Sequence, residues 1–145
     1  MKSKSCVLVC VTPQKQCEQL IRSGAVIARQ YGVPLEVLSV FHERDGSSPD
    51  PQVLEELYEC ARKENAQMSV YFNDSPVILS AVIAKKKGAI DIVVGFPKER
   101  STHFASSLRM LLPDVQISMV DVDDGGKIYR MIPQEAQQQY EIVGA

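Results

Sequence analysis

Val7-Leu8-Val9-Cys10-Val11 is a continuous apolar, largely β-branched run. It predicts a strand buried on both faces, as in a parallel sheet. Thr12-Pro13 follows with the composition of a helix start, a capping hydroxyl before a residue suited to the first turn. Cys17, Leu20, Ile21, Gly24, Ala28 and Tyr31 then recur at helical spacing, with Ile27 beside them, until Gly32 and Pro34 stop the helix. Leu35 to Phe41 predicts a second strand, and His42 to Pro49 a polar loop. Asp50-Pro51 opens a second helix whose stripe is Val53, Leu54, Leu57, Tyr58 and Ala61. Met68 to Phe72 is a short third strand. Asn73-Asp74-Ser75-Pro76 starts a third helix carrying Ile78, Leu79, Val82 and Ile83, closed by Lys85-Lys86-Lys87 and Gly88. Ile90 to Val94 is a fourth strand, with Asp91 read as a turn residue near its start. The loop from Phe96 to Thr102 leads to a fourth helix with Phe104, Leu108, Leu111 and Leu112 on one side. Pro113 ends it, and Val115 to Val122 is a fifth strand. Tyr31, Tyr58, Tyr71 and Phe72 stand at core-like spacing.

Strands alternating with helices predict right-handed crossovers and an α/β domain of three layers, with helices on both faces of a parallel sheet. After Val122 the pattern changes. Asp123-Asp124-Gly125-Gly126 is a turn signal, and Lys127 to Ile132 alternates polar and apolar positions. A sixth strand, hairpinned antiparallel to the fifth at the sheet edge, is expected. Residues 1–132 thus form the domain, and 133–145 a polar C-terminal tail. Gln134 to Tyr140 is read either as one short helix or as a mobile tail.

Composition adds exclusions. The chain has 145 residues, 45% hydrophobic and 23% charged, with a net charge of -2. That is one globular domain, and the acidic balance disfavours binding to nucleic-acid phosphates. No apolar run approaches the ~20 residues of a membrane span. The run Cys6 to Val11 is shorter than a signal-peptide core, so a cytoplasmic protein without a membrane partner is expected. Cys6 and Cys10 would share one strand face roughly 13 Å apart, at ~3.3 Å per residue, too far for a disulfide. The four cysteines show no CxxC motif and read as packing residues.

In an open α/β sheet, ligands bind beyond the carboxyl ends of the strands, where the strand order reverses. If the first and fourth strands are neighbours, that crevice is lined by Thr12 to Lys15 and by Gly95 to Ser107. Both loops feed helix N-termini, whose free N–H groups favour an anion. Thr12, Ser101, Thr102, Ser106 and Ser107 offer hydroxyls; Lys15, Lys98 and Arg100 offer charge. Capping alone also accounts for Thr12 and Ser101. There is no GxxxxGK[ST], no GxGxxG after the first strand and no GxSxG. No catalytic or metal-ligating residue is assigned.

Val7 to Val11 with its loop and helix, Leu35 to Val40, Ala89 to Gly95, and Ser106-Ser107-Leu108 leading into Leu111-Leu112 resemble the corresponding stretches of the universal stress protein family. The resemblance covers about residues 5 to 122. It implies a five-stranded parallel sheet of order 3-2-1-4-5, here with the C-terminal edge hairpin added, in a protein that is often a dimer. Many nucleotide-binding members carry an Asp after the first strand and a Gly-x2-Gly-x9-Gly-Ser/Thr motif. Thr12 stands in place of that Asp. Gly95 matches the first Gly, Lys98 replaces the second, and Ser106-Ser107 replace the Gly-Ser pair at shorter spacing. A backbone without those glycines cannot approach a triphosphate as closely. Thr12 and the loop from Gly95 to Lys98 look more like the stress-protein-like domain of the potassium-responsive sensor histidine kinases.

The resemblance implies a non-catalytic regulatory or ligand-sensing protein. Thr12, Lys15, Val40, Gly95, Lys98, Ser106 and Ser107 would hold a small anionic ligand, with an adenine nucleotide as the candidate. A nucleotide hydrolase or transferase of related fold is the alternative, or a purely protein-interacting module. A homodimer is expected through the C-terminal edge strand, with residues from about 115 to 132 in the contact.

Overall fold

The computed structural model describes residues 5–12, 16–42, 50–96, 104–132 and 139–144. Among them the order is β1 (Cys6–Cys10), α1 (Cys17–Tyr31), β2 (Leu35–His42), α2 (Pro51–Lys63), β3 (Gln67–Asn73), α3 (Pro76–Lys87), β4 (Ala89–Gly95), α4 (Phe104–Leu111), β5 (Gln116–Asp121), β6 (Lys127–Ile132) and β7 (Gln139–Gly144). One sheet runs β3-β2-β1-β4-β5-β6-β7. Its first five strands are parallel, and β6 and β7 are added antiparallel.

The continuous apolar run of β1 has a simple cause. Alternate strand residues point to opposite faces, and both faces are covered. Val7 and Val9 pack with Ile21, Leu57 and Val93 under α1 and α2. Leu8 packs with Leu38, Ile92, Ile117, Met119 and Leu108 under α3 and α4. Burying a side chain of this size contributes about 1.5–3 kcal/mol, and these residues are all 0 or 1% exposed. At Gly24 α1 crosses close over β1. A Cβ there would overlap Val9 Cγ2 and stand 3.2 Å from Leu35 Cδ1, so only glycine lets the helix lie this near the strand.

The helix ends follow the expected punctuation at most positions. Asp50 caps α2, its carboxylate accepting from the Gln52 N–H at 3.0 Å, with Pro51 in the first turn. Gly32 and Gly88 end α1 and α3 in the left-handed conformation. The start of α1 differs from the sequence expectation. The helix begins at Cys17 with Gln16 at the cap, so Thr12 is not its N-cap. A second difference is in α4, where Leu111 is 46% exposed while Ala105, Leu108 and Leu112 are buried. The aromatic residues read as core, Tyr31, Tyr58, Tyr71 and Phe72, are all exposed.

After β5 a 3-10 turn, Val122–Asp124, and left-handed Gly125 and Gly126 reverse the chain into β6. The Asp121 carboxylate accepts from the Asp123 N–H at 3.2 Å, which holds the turn. β7 corrects the reading of 133–145 as a tail, because Tyr129 pairs with Ile142 and Ile132 with Gln139. The physical reason is that β6 presents an open row of N–H and C=O groups, and an open edge recruits a strand. β7 therefore occupies the outer edge of β6, where the sequence expectation placed the partner subunit. The helix-or-tail reading of 134–140 falls mostly outside the described residues.

Candidate functional site

The strand order reverses at β1 and β4: the chain moves outward from β1 through β2 to β3, then returns to β4 and continues the other way. Val9 pairs with Val93, so Val11 and Thr12 leave β1 level with the Gly95 end of β4. Cys10 pairs with Leu38, which sets Val40 level with Thr12 on the other side. Two hydrogen bonds fix the exit of β1: Val11 N–H donates to Leu38 O at 2.9 Å, and the Ser39 hydroxyl donates to Val11 O at 3.0 Å. On the β4 side, Phe96 N–H donates to Val120 O at 2.9 Å.

The strand register brings Thr12, Val40 and Gly95 to one level at these strand ends. Thr12 is exposed, and its hydroxyl lies 3.6 Å from Cys17 Sγ at the start of α1. Gly95 is exposed, and among the described residues a Cβ there would meet only Leu20 Cδ1, at 3.9 Å. Val40 is half-buried on the α3/α4 face. Ser106 and Ser107 are half-buried in the first turn of α4, whose Ala105 and Leu108 anchor that helix to the same face. Lys15 and Lys98 lie outside the described residues, as do Arg100, Ser101, Thr102 and His103. The first turn of α1 already carries Glu18, paired with Arg22 at 3.6 Å. That carboxylate complements the helix dipole and repels a second anion, whereas the first turn of α4 carries no acidic residue.

Sequence reasoning missed the aromatic wall beside the crevice. Phe96 leaves β4 and meets Tyr129 of β6, ring centroids 4.6 Å apart and tilted by 36°. The two residues are distant in sequence and meet only because β6 folds back along β5. The two thiols of β1 are held protonated. Burial pushes Cys10 up to about 12, and burial followed by the nearby Glu36 carboxylate pushes Cys6 up to about 11, so neither is a thiolate nucleophile near neutral pH. Among the described residues no group of three or more His, Cys, Asp or Glu side chains could hold a metal ion. No helix among them is long and apolar enough to cross a membrane.

The second missed feature lies at the other end of β4. Asp91 is not a turn residue. It is fully buried inside the strand, with Oδ2 accepting from Gln116 Nε2 at 2.9 Å and from the Ser118 hydroxyl at 3.1 Å. Gln116 Nε2 also donates to the Tyr31 hydroxyl at 2.8 Å. Asp91 Oδ1 has no hydrogen-bond partner among the described residues. Burial raises its carboxyl to about 6, against the lowering effect of the two hydrogen bonds and of Arg130.

No family model matches the chain, and no curated protein matches it in sequence. Solved structures do. A universal stress protein from Archaeoglobus fulgidus has a TM-score of 0.58 at 21% identity, over 74% of this chain and 87% of that one. The same organism's protein in complex with dAMP has a TM-score of 0.55 at 21% identity, over 76% and 92%. A universal stress protein in complex with cAMP has a TM-score of 0.62 at 15% identity, over 83% and 99%. Identities this low establish shared architecture, and that architecture is the five-strand parallel order with its reversal at β1 and β4: the chain has the fold of the universal stress proteins.

Proposed function

We propose that this chain is a non-catalytic, ligand-sensing protein of the universal stress type. Its ligand is an adenine nucleotide or a smaller anion, taken at the crevice between the carboxyl ends of β1 and β4. The carrying observation is the exposed Gly95 at the end of β4, level with the exposed Thr12 where the chain leaves β1. Solved proteins of the same fold bind dAMP and cAMP, which supports a mononucleotide over a triphosphate. The missing glycines at Lys98 and Ser106 point the same way. Lys15 and Lys98 supply the cationic contacts in this reading, and the Phe96–Tyr129 wall supplies an apolar flank for a base. Non-catalytic action is supported by the chemistry of the perturbed groups. The two thiols of β1 are held protonated, and the strongly shifted carboxyl, Asp91, is sealed at the end of β4 away from the crevice.

Calorimetric titration with AMP, cyclic AMP, ATP and inorganic phosphate tests this. Saturable binding of a mononucleotide is expected, stabilising the protein by about 2.7 kcal/mol at 100-fold its Kd. Gly95→Trp should abolish binding by filling the crevice, and Lys98→Ala should weaken it through loss of a charge-assisted contact. Phosphate release from ATP should stay at background. Undiminished binding by the Gly95→Trp protein would place the ligand elsewhere.

A further inference from the structure

β3 forms one edge of the sheet, and no strand among the described residues pairs with its outer side. Its sequence, Gln-Met-Ser-Val-Tyr-Phe-Asn, contains no charge, proline or glycine. It pairs with β2 from Gln67 to Asn73 without a bulge. Val70, Tyr71 and Phe72 are 40, 40 and 54% exposed, and Ile78 in the first turn of α3, just after β3, is 57% exposed. Edge strands are normally blunted by a charge, a proline, a bulge or a covering segment. None of the first three is present in β3. At the far edge, by contrast, the chain covers β6 with its own β7.

We propose that β3 pairs antiparallel with β3 of a second copy, joining the two sheets across a two-fold axis at Val70. The strand's composition selects a copy of itself as the occupant. With Val70 on the axis, Gln67 stands opposite Asn73 of the other copy, Met68 opposite Phe72, and Ser69 opposite Tyr71. These are an amide pair, a thioether–aromatic pair and a hydroxyl pair, around a β-branched pair at the centre. No like charges meet, whereas a charged peptide would find no counter-charge on the strand. An isologous contact of this kind closes on itself and leaves no free β3 edge for further addition. The antiparallel join turns the carboxyl ends of the two sheets in opposite directions, so both β1–β4 crevices stay open. A seven-residue strand pair is below the standard interface size, and the association is expected to be micromolar.

The test uses the full chain. Opposite residues of an antiparallel pair have Cα atoms about 4.5–5.5 Å apart, within disulfide reach. Val70→Cys under oxidised glutathione should therefore give a covalent dimer on a non-reducing gel as the main product. Val26→Cys, 45% exposed on α1, should stay monomeric on the same gel. In sedimentation equilibrium, Val70→Lys should raise the dimer dissociation constant at least tenfold, while Val70→Thr leaves it within about twofold. Circular-dichroism melts of each variant confirm that the fold is retained. A wild-type protein that remains monomeric at several hundred micromolar would overturn the proposal. A dimer that Val70→Lys leaves intact, with no Val70→Cys cross-link, would overturn it as well.

Discussion

Near the start of β4, Asp91 is fully buried, and its carboxylate is held by Gln116 and Ser118 of the neighbouring strand. At the end of the same strand, Gly95 is exposed, and among the described residues nothing stands closer than Leu20 Cδ1 to where a side chain would begin. One strand thus carries a polar group sealed by the chain's own side chains at one end and an open backbone position at the other. The sealed end uses its polar groups for the fold. The open end leaves Thr12 and Gly95 exposed at the exits of β1 and β4. Rigid β1 and β4, each paired on both sides, hold the two ends in a fixed relation, so changes at the sealed end should act on stability and changes at the open end on binding.

The largest expected effect at the sealed end is a pH dependence of stability. The Asp91 carboxyl is raised from 3.8 to about 6, chiefly by burial, so the folded chain keeps a proton that the unfolded chain gives up. A group raised in this way contributes its stability fully below pH 3.8 and loses it as the pH rises through about 6. A shift of about two units at 1.36 kcal/mol each makes the loss roughly 3 kcal/mol. Urea unfolding of the native protein and of Asp91→Asn at pH 4 and pH 7 isolates it, because the other carboxylates titrate alike in both. The native protein should lose roughly 2–3 kcal/mol relative to Asp91→Asn between the two pH values. A difference that does not vary with pH would mean that Asp91 is solvated, and the contrast between the two ends would fail.

A smaller effect is expected at Ser118, which is fully buried. Ser118→Ala removes one of the two hydrogen bonds that favour the charged carboxylate. Stability at pH 7 should fall by about 1.5–3 kcal/mol, the usual worth of a hydrogen bond to a charged group. At pH 4, where the neutral carboxyl predominates in the folded chain, the loss should be nearer 1 kcal/mol. The same substitution should leave nucleotide affinity unchanged. Altered affinity, measured by calorimetry, would show that the two ends communicate.

These two ends were unequally legible in the sequence. The strand–helix alternation, the caps at Asp50, Gly32 and Gly88, and the reversal at Asp123 to Gly126 are local patterns, and the structure reproduces them. The crevice position followed from strand order together with the residues that leave β1 and β4. Asp91 was misread because Asp is depleted in strands, and the partners that make its burial tolerable stand 25 and 27 residues away. Thr12-Pro13 mimicked a cap, yet the helix waits until Cys17. Tyr31 matched the apolar period of α1 but ends at the surface, where its hydroxyl accepts from Gln116. β7 was hidden because it is short and follows a Gln-rich run, and pairing with β6 recruits it by backbone hydrogen bonds. For Asp91, Tyr31 and β7 the missing information was a long-range partner.

The smallest expected change in stability is at the open end. Thr12 is exposed, and its hydroxyl meets Cys17 Sγ at 3.6 Å, a weak contact by sulfur standards. Thr12→Val keeps the β-branched shape and deletes the hydroxyl. Loss of so weak a bond at an exposed position should alter unfolding free energy by less than about 0.5 kcal/mol at any pH. If the hydroxyl contacts bound nucleotide, affinity should fall by about 0.5–1.5 kcal/mol, the net worth of one hydrogen bond, or between twofold and roughly tenfold in Kd. Unfolding and titration on the same protein preparation separate the two quantities. A loss of stability above 1 kcal/mol would make Thr12 part of the scaffold that seats α1. Unchanged stability together with unchanged affinity would move the ligand away from the β1 exit, toward the Gly95 side of the crevice.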